Sequence, residues 1–329
     1  MERNWFWQRA GMRAGLAFGA LTGGSLAADG RTMDPSMSAL VRFVRRMPPK
    51  QQAIGRTRVE YAALLALTGL RADASVKVSA LAIPGLPPAR EYVRRAGGTA
   101  SGTLLFFHGG GFIMGGVAER DGLCRRIAAG TGLRVVSAAY RLAPEHPFPA
   151  AHDDAAAALA WVRDHRAGGP LLVGGDSAGA NLAASLAREG GVHGQVLIYP
   201  VVDMVQSPGL YPSIDTFADG YLLTAAAMRA CGEALMLPGT DAENARLSPI
   251  RADVSRAAPA LITVAGFDPL RDQGTAYTAA LRAAGVRTTL LEEDALVHGY
   301  SDFAGMVPAA RRAVDRVVAG IRAMLPAPA

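Results

Sequence analysis

Along most of this chain, apolar strand-like runs alternate regularly with helical segments. Six of these runs are apolar almost throughout, which is the pattern of strands that are covered on both faces. We therefore predict an α/β fold whose mostly parallel, twisted sheet carries helices on each side. The strand-like runs are Gly102–Gly110, Leu133–Ala143, Pro170–Asp176, Gln195–Asp203, Ala260–Asp268 and Arg287–Asp294, and the helical segments are 116–130, 150–166, 178–189, 271–284 and 308–324.

Two parts of the chain depart from this alternation. Before it, helical spacing runs from Met37 to about Ala66, and the stretches "VKVSALAIPG" and "AREYVRRAG" predict a hairpin. Within it, residues 204–258 contain prolines and one helical patch but no strong strand, so they are interpreted as an insertion. The predicted division is an extension or signal (1–32), N-terminal helices (33–70), the α/β domain (71–203 and 259–329) and the insertion (204–258).

Composition excludes several classes of protein. Half of the 329 residues are hydrophobic, which is enough for a large core. The net charge of +6 comes almost entirely from arginine, and no basic run is interleaved with aromatic residues, so nucleic-acid binding is not expected. Cys124 and Cys231 are far apart and lack neighbouring histidine pairs. They predict buried thiols rather than a zinc site or a disulfide framework.

The N-terminus leaves two interpretations open. Arginines precede a weakly apolar stretch from Ala14 to Leu21, and "SLA" follows, which is the pattern of a short secretory signal. Glycines interrupt that stretch, so a flexible extension fits equally. The protein is expected in the cytoplasm, or secreted or periplasmic if residues 1–27 act as a signal. No segment has 18 uninterrupted apolar residues, so no stable membrane span is predicted.

The motif Gly175-Asp176-Ser177-Ala178-Gly179 follows an apolar strand and opens a helix. A serine between two glycines is either the apex of a tight turn or a nucleophile held on a strained strand-to-helix turn. In the second case the glycines leave room for the sheet and the helix, and the helix N-terminus favours negative charge developing near the serine.

A serine hydroxyl needs a general base, and in hydrolases built on this turn the order is serine, acid, histidine. His193 and His298 are the histidines that follow Ser177, and only Glu189 lies between Ser177 and His193 as a carboxylate. His298 is therefore the predicted base. Asp268, which ends a strand before Pro269, is the predicted acid, Asp203 is the runner-up and Asp272 is a further candidate.

The run "FFHGGGF" ends the first strong strand with three glycines. It is either a flexible loop or an oxyanion hole, whose backbone N–H groups bind the negative oxygen of a tetrahedral intermediate. The candidate residues are Gly109, Gly110, Gly111 and Ala178, with the N–H groups of the last three as the expected donors. His108 is interpreted as a residue that shapes this loop through a hydrogen bond.

Five ordered motifs, "HGGGF", "YRLAPEHPFPAAHDD", "GDSAGANLA", "FDPLRDQG" and "VHGY", resemble the hormone-sensitive-lipase-like branch of α/β-hydrolase esterases, bacterial family IV. The resemblance extends from about Met33 to the C-terminus. It implies a carboxylesterase with Ser177, Asp268 and His298 as its triad, no metal or cofactor, and a small-molecule ester of short to medium acyl chain as substrate. It also implies a cap built from residues 33–70 and 204–258, and a salt bridge between Arg141 and Glu145.

Two other functions use the same sequence features. The triad does not distinguish leaving groups, so an amide, carbamate or lactone is an alternative substrate. Hydrolase folds also serve as non-catalytic binding modules, although such modules usually lack a triad member. The last strand and the C-terminal helix are a candidate edge for a homodimer.

Overall fold

The computed structural model describes residues 11–12, 14–17, 19–46, 53–96, 100–166, 168–205, 207 and 209–326. The segment 1–27, for which two interpretations were open, therefore lies partly outside the described residues. Positions 47–52 of the predicted N-terminal helices and positions 206 and 208 of the predicted insertion also lie outside them. No helix within these ranges has the length and apolar character that crossing a bilayer requires.

Eight strands form one sheet in the order β10-β9-β8-β7-β5-β6-β4-β3. Neighbours from β10 to β6 are parallel, whereas β4 pairs antiparallel with both β6 and β3, which confirms the predicted hairpin. A separate short ribbon precedes them. The strands are β1 (Ala27–Ala28), β2 (Arg31–Thr32), β3 (Val76–Leu81), β4 (Ala89–Arg94), β5 (Thr103–Phe107), β6 (Arg134–Ala138), β7 (Leu171–Asp176), β8 (Gly194–Ile198), β9 (Ala260–Phe267) and β10 (Thr288–Val297).

The helices follow the predicted segments within a few residues, except near the N-terminus. There, the helical spacing from Met37 to Ala66 divides into one helix that ends at Arg45 and another that begins at Ile54. The helices are α1 (Pro35–Arg45), α2 (Ile54–Thr68), α3 (Asp121–Thr131), α4 (Ala150–His165), α5 (Ala178–Ala187), α6 (Pro212–Thr216), α7 (Ala225–Leu235), α8 (Arg271–Ala283) and α9 (Pro308–Met324).

Both faces of the central strands β5 to β9 are covered, as their apolar sequences predicted. The run Arg287–Asp294 was grouped with them, but it forms the partly exposed edge strand β10, because it carries charged residues such as Glu292 and Asp294. In β5, Leu104 and Phe106 pack in the cluster that contains the buried faces of α1, α3 and α9. Leu105 and Phe107 point the other way and pack with α4, α5 and α8. Successive side chains of a strand alternate between faces, so an uninterrupted apolar strand is stable only between two helical layers.

Two apolar runs continue past the strands they contain. The run Leu133–Ala143 leaves the sheet at Ala138, and Gln195–Asp203 leaves it at Ile198. Large apolar side chains continue beyond these strands because several of them are buried: Tyr140 and Tyr199 are both at most 3% exposed. Burial in the loops above the sheet, rather than strand pairing, explains the length of these runs.

Strand β5 lies between β6 and β7. The chain continues from β5 to β6 on one side of it and then crosses over to β7 on the other side. At such a reversal the loops that follow neighbouring strands diverge and leave a crevice beyond the carboxyl ends of the strands. The loop after β5 carries the three glycines, and the turn after β7 carries the serine. The topology therefore brings these two motifs to one place.

Candidate active site

Ser177 sits on a strained turn between β7 and α5. It is the N-cap of α5, with φ 52° and ψ −116°, a conformation that non-glycine residues rarely adopt. A Cβ on Gly175 would overlap the backbone of Gly179, and a Cβ on Gly179 would overlap the carbonyl oxygen of Phe107. The two glycines are therefore required by close backbone approach, and the turn leaves Ser177 projecting above the sheet.

His298 follows β10 and lies between Ser177 and Asp268. Its Nε2 is 2.9 Å from Ser177 Oγ, and its Nδ1 is 2.8 Å from Oδ2 of Asp268. Because an ionised carboxylate only accepts hydrogen bonds, Nδ1 carries the proton and Nε2 is the acceptor for the serine hydroxyl. The three predicted residues thus form one hydrogen-bonded chain, although they are far apart in the sequence.

The acid is held in a fixed orientation. Asp268 is fully buried directly after β9, and its Oδ1 accepts a hydrogen bond at 2.7 Å from the backbone N–H of Leu270. That contact leaves Oδ2 for the imidazole. Tyr199, which directly follows β8, packs its ring edge-on against the ring of His298 with 4.9 Å between centroids. The imidazole is therefore positioned on two sides.

The other candidate residues lie elsewhere. Asp203 accepts hydrogen bonds from Arg251 and Tyr211, and Asp272 accepts from Arg271 and the N–H of Ser213. His193 accepts from the N–H of Leu171, the first residue of β7 and so the opposite end of the strand from Ser177. Hydrogen bonding to His298 therefore distinguishes Asp268 from its two rivals.

The glycine loop needs one correction. Gly109 was included among the candidate residues of the oxyanion hole, but its N–H donates to Asp176 at 2.9 Å, so it is committed to that carboxylate and is not placed to be an oxyanion donor. Within the described residues, no acceptor lies in hydrogen-bonding position for the N–H groups of Gly110, Gly111 or Ala178. Gly110 and Gly111 have φ of 124° and 61°, backbone conformations that favour glycine.

His108 shapes this loop, as predicted. Its Nδ1 contacts the carbonyl oxygen of Gly109 at 2.8 Å, and its ring stacks on Tyr140, whose hydroxyl donates to the carbonyl oxygen of His108. Burial lowers the pKa of His108 to about 4, so the ring is neutral near pH 7 and Nδ1–H is the donor. A buried neutral imidazole committed in this way is a structural element of the loop.

The predicted salt bridge between Arg141 and Glu145 is wrong. Arg141 forms a forked pair with Asp154, whose buried carboxylate on α4 requires a compensating charge. Glu145 is half exposed and pairs instead with Arg58 of α2. The same Arg58 donates to the carbonyl oxygens of Ile113 and Ala143, so it joins α2 to the loop that follows the glycines.

The chain resembles known proteins along most of its length. A family model for the alpha/beta hydrolase fold matches residues 104–302. The carboxylic ester hydrolase LipN of Mycobacterium tuberculosis is 37% identical to this chain, and the match covers 92% of this chain and 86% of the length of LipN. Ethyl acetate hydrolase of Pseudomonas putida is 35% identical over 68% of this chain and 73% of its own. The crystal structure of the hyperthermophilic esterase of Pyrobaculum calidifontis superposes with a TM-score of 0.80 at 34% identity, covering 89% of this chain and 98% of that one. The chain belongs to the α/β-hydrolase family.

This membership confirms the predicted fold class and the resemblance to the hormone-sensitive-lipase-like branch. Some residues of the hydrolase's site were not identified from the sequence. Tyr199 carried a usable signal, because it directly follows a strand whose carboxyl end meets the same edge as Ser177 and Asp268. Cys231 carried none: it comes from α7 in the insertion, yet its Sγ lies where a Cβ on Gly111 would be.

That contact leads to a prediction for this hydrolase. In Gly111→Ala the new methyl group overlaps Sγ of Cys231, and φ of 61° is strained for alanine, so we expect the loop to shift and its N–H groups to move with it. We expect kcat to fall by about 100-fold, the usual scale for losing an oxyanion donor. Adding Cys231→Ala removes the overlap with sulfur and should restore part of the loss. The measurement is kcat on p-nitrophenyl butyrate together with the melting temperature.

Gly285→Ala is the matched control for this change. Gly285 has φ of 79°, similar to that of Gly111, but no atom lies within 4 Å of the position that a Cβ would take there. It therefore introduces the same kind of backbone strain, about 1–2 kcal/mol, without a steric neighbour. We expect it to lower the melting temperature and leave kcat unchanged. Equal kcat values for Gly111→Ala and the wild type would contradict the assignment of the glycine loop as the oxyanion hole.

Proposed function

We propose that this protein is a serine carboxylesterase that hydrolyses carboxylic esters through an acyl-enzyme intermediate on Ser177. The observation that carries the proposal is the continuous hydrogen-bonded chain from Ser177 Oγ through His298 to Asp268. A serine hydroxyl becomes a useful nucleophile only beside a base held in the correct tautomer, and this chain supplies both conditions.

The proposed reaction has two acyl transfers. In the first, Ser177 Oγ bonds to the ester carbonyl carbon while His298 Nε2 takes the hydroxyl proton, and the carbonyl oxygen becomes an oxyanion. The N–H groups of Gly110, Gly111 and Ala178 bind that oxyanion. The carbon–oxygen bond to the alcohol then breaks, and Nε2 returns its proton to the alcohol. In the second transfer, water replaces Ser177 by the same steps and the carboxylic acid is released.

We also propose that residues 33–70 and 204–258 form a cap above this site. Two contacts support it: Cys231 from the insertion lies against Gly111, and Arg58 from α2 donates to the carbonyl oxygens of Ile113 and Ala143. A cap this close to the glycine loop leaves a shallow acyl pocket. The proposed substrates are therefore esters of short to medium acyl chain. Ethyl acetate, the ester in the name of the Pseudomonas putida relative, has an acyl chain at the short end of this range.

A panel of p-nitrophenyl esters of increasing acyl length tests the proposal. Each methylene bound in an apolar pocket contributes about 1–3 kcal/mol, so kcat/KM should rise over the shortest chains and fall once the pocket is full. We expect the maximum between about two and eight acyl carbons. A steady rise to the longest chains would contradict the shallow pocket, and no hydrolysis of any ester would contradict the function.

Two further proposals concern assembly and location. Strand β10, beside α9, is one of the two edge strands of the sheet, the other being β3, and we propose it as the contact of a homodimer. We propose a cytoplasmic enzyme, with secretion as the alternative if residues 1–27 are removed as a signal. The mass of the native particle and the N-terminal sequence of the mature protein decide between these possibilities.

A further inference from the structure

We infer that Arg120, a buried residue that no part of the proposed mechanism uses, is a positioning residue that holds the nucleophile turn and the histidine loop in register. The inference rests on the proposed function, because register between Ser177 and His298 is what the ester hydrolysis requires.

Arg120 precedes α3 and is only 3% exposed. A buried charge is costly unless it is paired, and here the guanidinium is paired with carboxylates from two distant segments. Its Nε and Nη2 form a fork with the carboxylate of Asp176, at 2.8 and 2.7 Å, and its Nη1 lies 3.0 Å from Oδ1 of Asp302. The planar fork of arginine is the side chain that can engage two acids in fixed directions.

Each acid belongs to a segment of the site. Asp176 is the residue before Ser177, and it also accepts the N–H of Gly109, so it anchors the nucleophile turn and the glycine loop together. Asp302 follows His298 by four residues and lies in the single helical turn Tyr300–Phe303 that ends the histidine loop. Arg120 therefore joins, through side chains alone, the segments that carry Ser177 and His298.

The cap helix α2 contacts the same group. The hydroxyl of Tyr61 accepts a hydrogen bond from Arg120 Nη2 at 3.0 Å and donates to Oδ2 of Asp302 at 3.1 Å. Thr68, at the end of α2, donates through its hydroxyl to the carbonyl oxygen of Asp302 at 2.7 Å. Docking of α2 is therefore linked to the position of the histidine loop through Tyr61 and Arg120.

Arg120 also borders a space that the core does not fill. A cavity of about 350 Å³ lies between α2 and the start of α3, and Arg120, Ser301 and Asp302 form part of its wall. The turn at Asp302 is itself anchored by the buried rings of Tyr300 and Phe303. The contact with Arg120 adds a direct link from that turn to Asp176.

The first test compares Arg120→Lys with Tyr61→Phe. Lysine keeps the charge but cannot fork between two acids, and a misplacement of about 1 Å at a reacting centre lowers the rate by about 100-fold. We expect kcat to fall by about 10- to 100-fold with KM within about twofold. Tyr61→Phe removes only the hydroxyl contacts, and a loss of about fivefold in kcat is expected. Because that variant keeps its ring, it remains informative if Arg120→Lys folds poorly.

Arg316→Lys is the matched control. Arg316 on α9 also forms a fork with a buried carboxylate, that of Glu293, and among the described residues none of its hydrogen-bond or ion-pair partners belongs to the site. Replacing Arg316 by lysine should lower the melting temperature of the protein and leave kcat unchanged when it is measured below that temperature. Wild-type kcat in both Arg120→Lys and Tyr61→Phe, or an equal loss of kcat in Arg316→Lys, would overturn the inference and show that Arg120 only stabilises the fold.

A double variant tests the route through the histidine loop. If Arg120 acts through Asp302, the loss of kcat in Arg120→Lys combined with Asp302→Asn should be smaller than the product of the two single losses. A combined loss equal to that product would show that the two residues act independently, against the inference.

Labelling of Ser177 by a fluorophosphonate separates this inference from the proposed function. The probe reacts with an activated serine whether or not esters are turned over. A wild type that is labelled but hydrolyses no ester would end the proposed function, and the labelling rates of the variants would still decide the role of Arg120. Equal labelling rates in the wild type, Arg120→Lys and Tyr61→Phe would count against it.

Discussion

Replacing Ser177 by alanine is expected to lower kcat at least about 1,000-fold while the fold stays intact. The substitution removes Oγ, the atom that would bond to the substrate. It retains the hydrogen bond from the N–H of residue 177 to the carbonyl oxygen of Ile198, at 2.9 Å, and it adds no steric demand at φ 52°. The measurement is steady-state hydrolysis of p-nitrophenyl butyrate, with the melting temperature as the test of folding.

The double variant Ser177→Ala with His298→Ala makes this prediction sharper. Residues that act as one unit have strongly non-additive effects, so the second change should add little to the first. The residual rate would then come from substrate binding and the oxyanion donors. Retention of more than a tenth of the wild-type kcat in Ser177→Ala would show that the nucleophile is another group.

Replacing Asp268 by asparagine is expected to lower kcat by about 1,000- to 10,000-fold. The side chains are nearly isosteric, and Oδ1 can still accept the N–H of Leu270. The amide, however, presents an N–H donor to Nδ1 of His298 where the carboxylate accepted a hydrogen bond from Nδ1–H. The imidazole must then carry its proton on Nε2, and in that tautomer it cannot accept the proton of Ser177.

Asp203→Asn is the control for this result. Asp203 is buried and also directly follows an apolar run, but it pairs with Arg251 and Tyr211 rather than with His298. Its substitution leaves a charge without its partner and should reduce the free energy of unfolding, with kcat unchanged in the folded fraction. A larger loss of kcat in Asp203→Asn than in Asp268→Asn would reverse the assignment of the acid.

The sequence was most informative where a local pattern has only one structural solution. The apolar runs predicted the buried central strands, and both faces of those strands are covered because an all-apolar strand cannot border water. The charged run Arg287–Asp294 is the exception and forms the partly exposed strand β10. The glycines around Ser177 predicted a turn too tight for side chains, and a Cβ at either position would overlap backbone. Such inferences depend on near neighbours in the chain, which the sequence specifies directly.

Pairings between charged side chains were predicted least well. Arg141 and Glu145 are close in sequence, but each found a better partner on a different helix, Asp154 and Arg58 respectively. Gly109 was included among the candidate residues of the oxyanion hole, yet its N–H donates to Asp176. A flexible charged side chain or a loop N–H group can reach several partners. The partner it takes is the one whose buried charge would otherwise lack a compensating group, and the fold decides which charges are buried.

By itself the sequence determined the succession of strands and helices along the chain and the turn that carries Ser177. It also indicated that an acid and a histidine accompany this serine. Periodicity and backbone sterics are properties of short segments, so the sequence specifies them directly. Only the tertiary structure decided that Asp268 rather than Asp203 meets His298, and that Arg120 joins Asp176 to Asp302. These contacts connect residues that are far apart in the chain, and their partners are selected by the three-dimensional placement of strand ends, which no local pattern encodes.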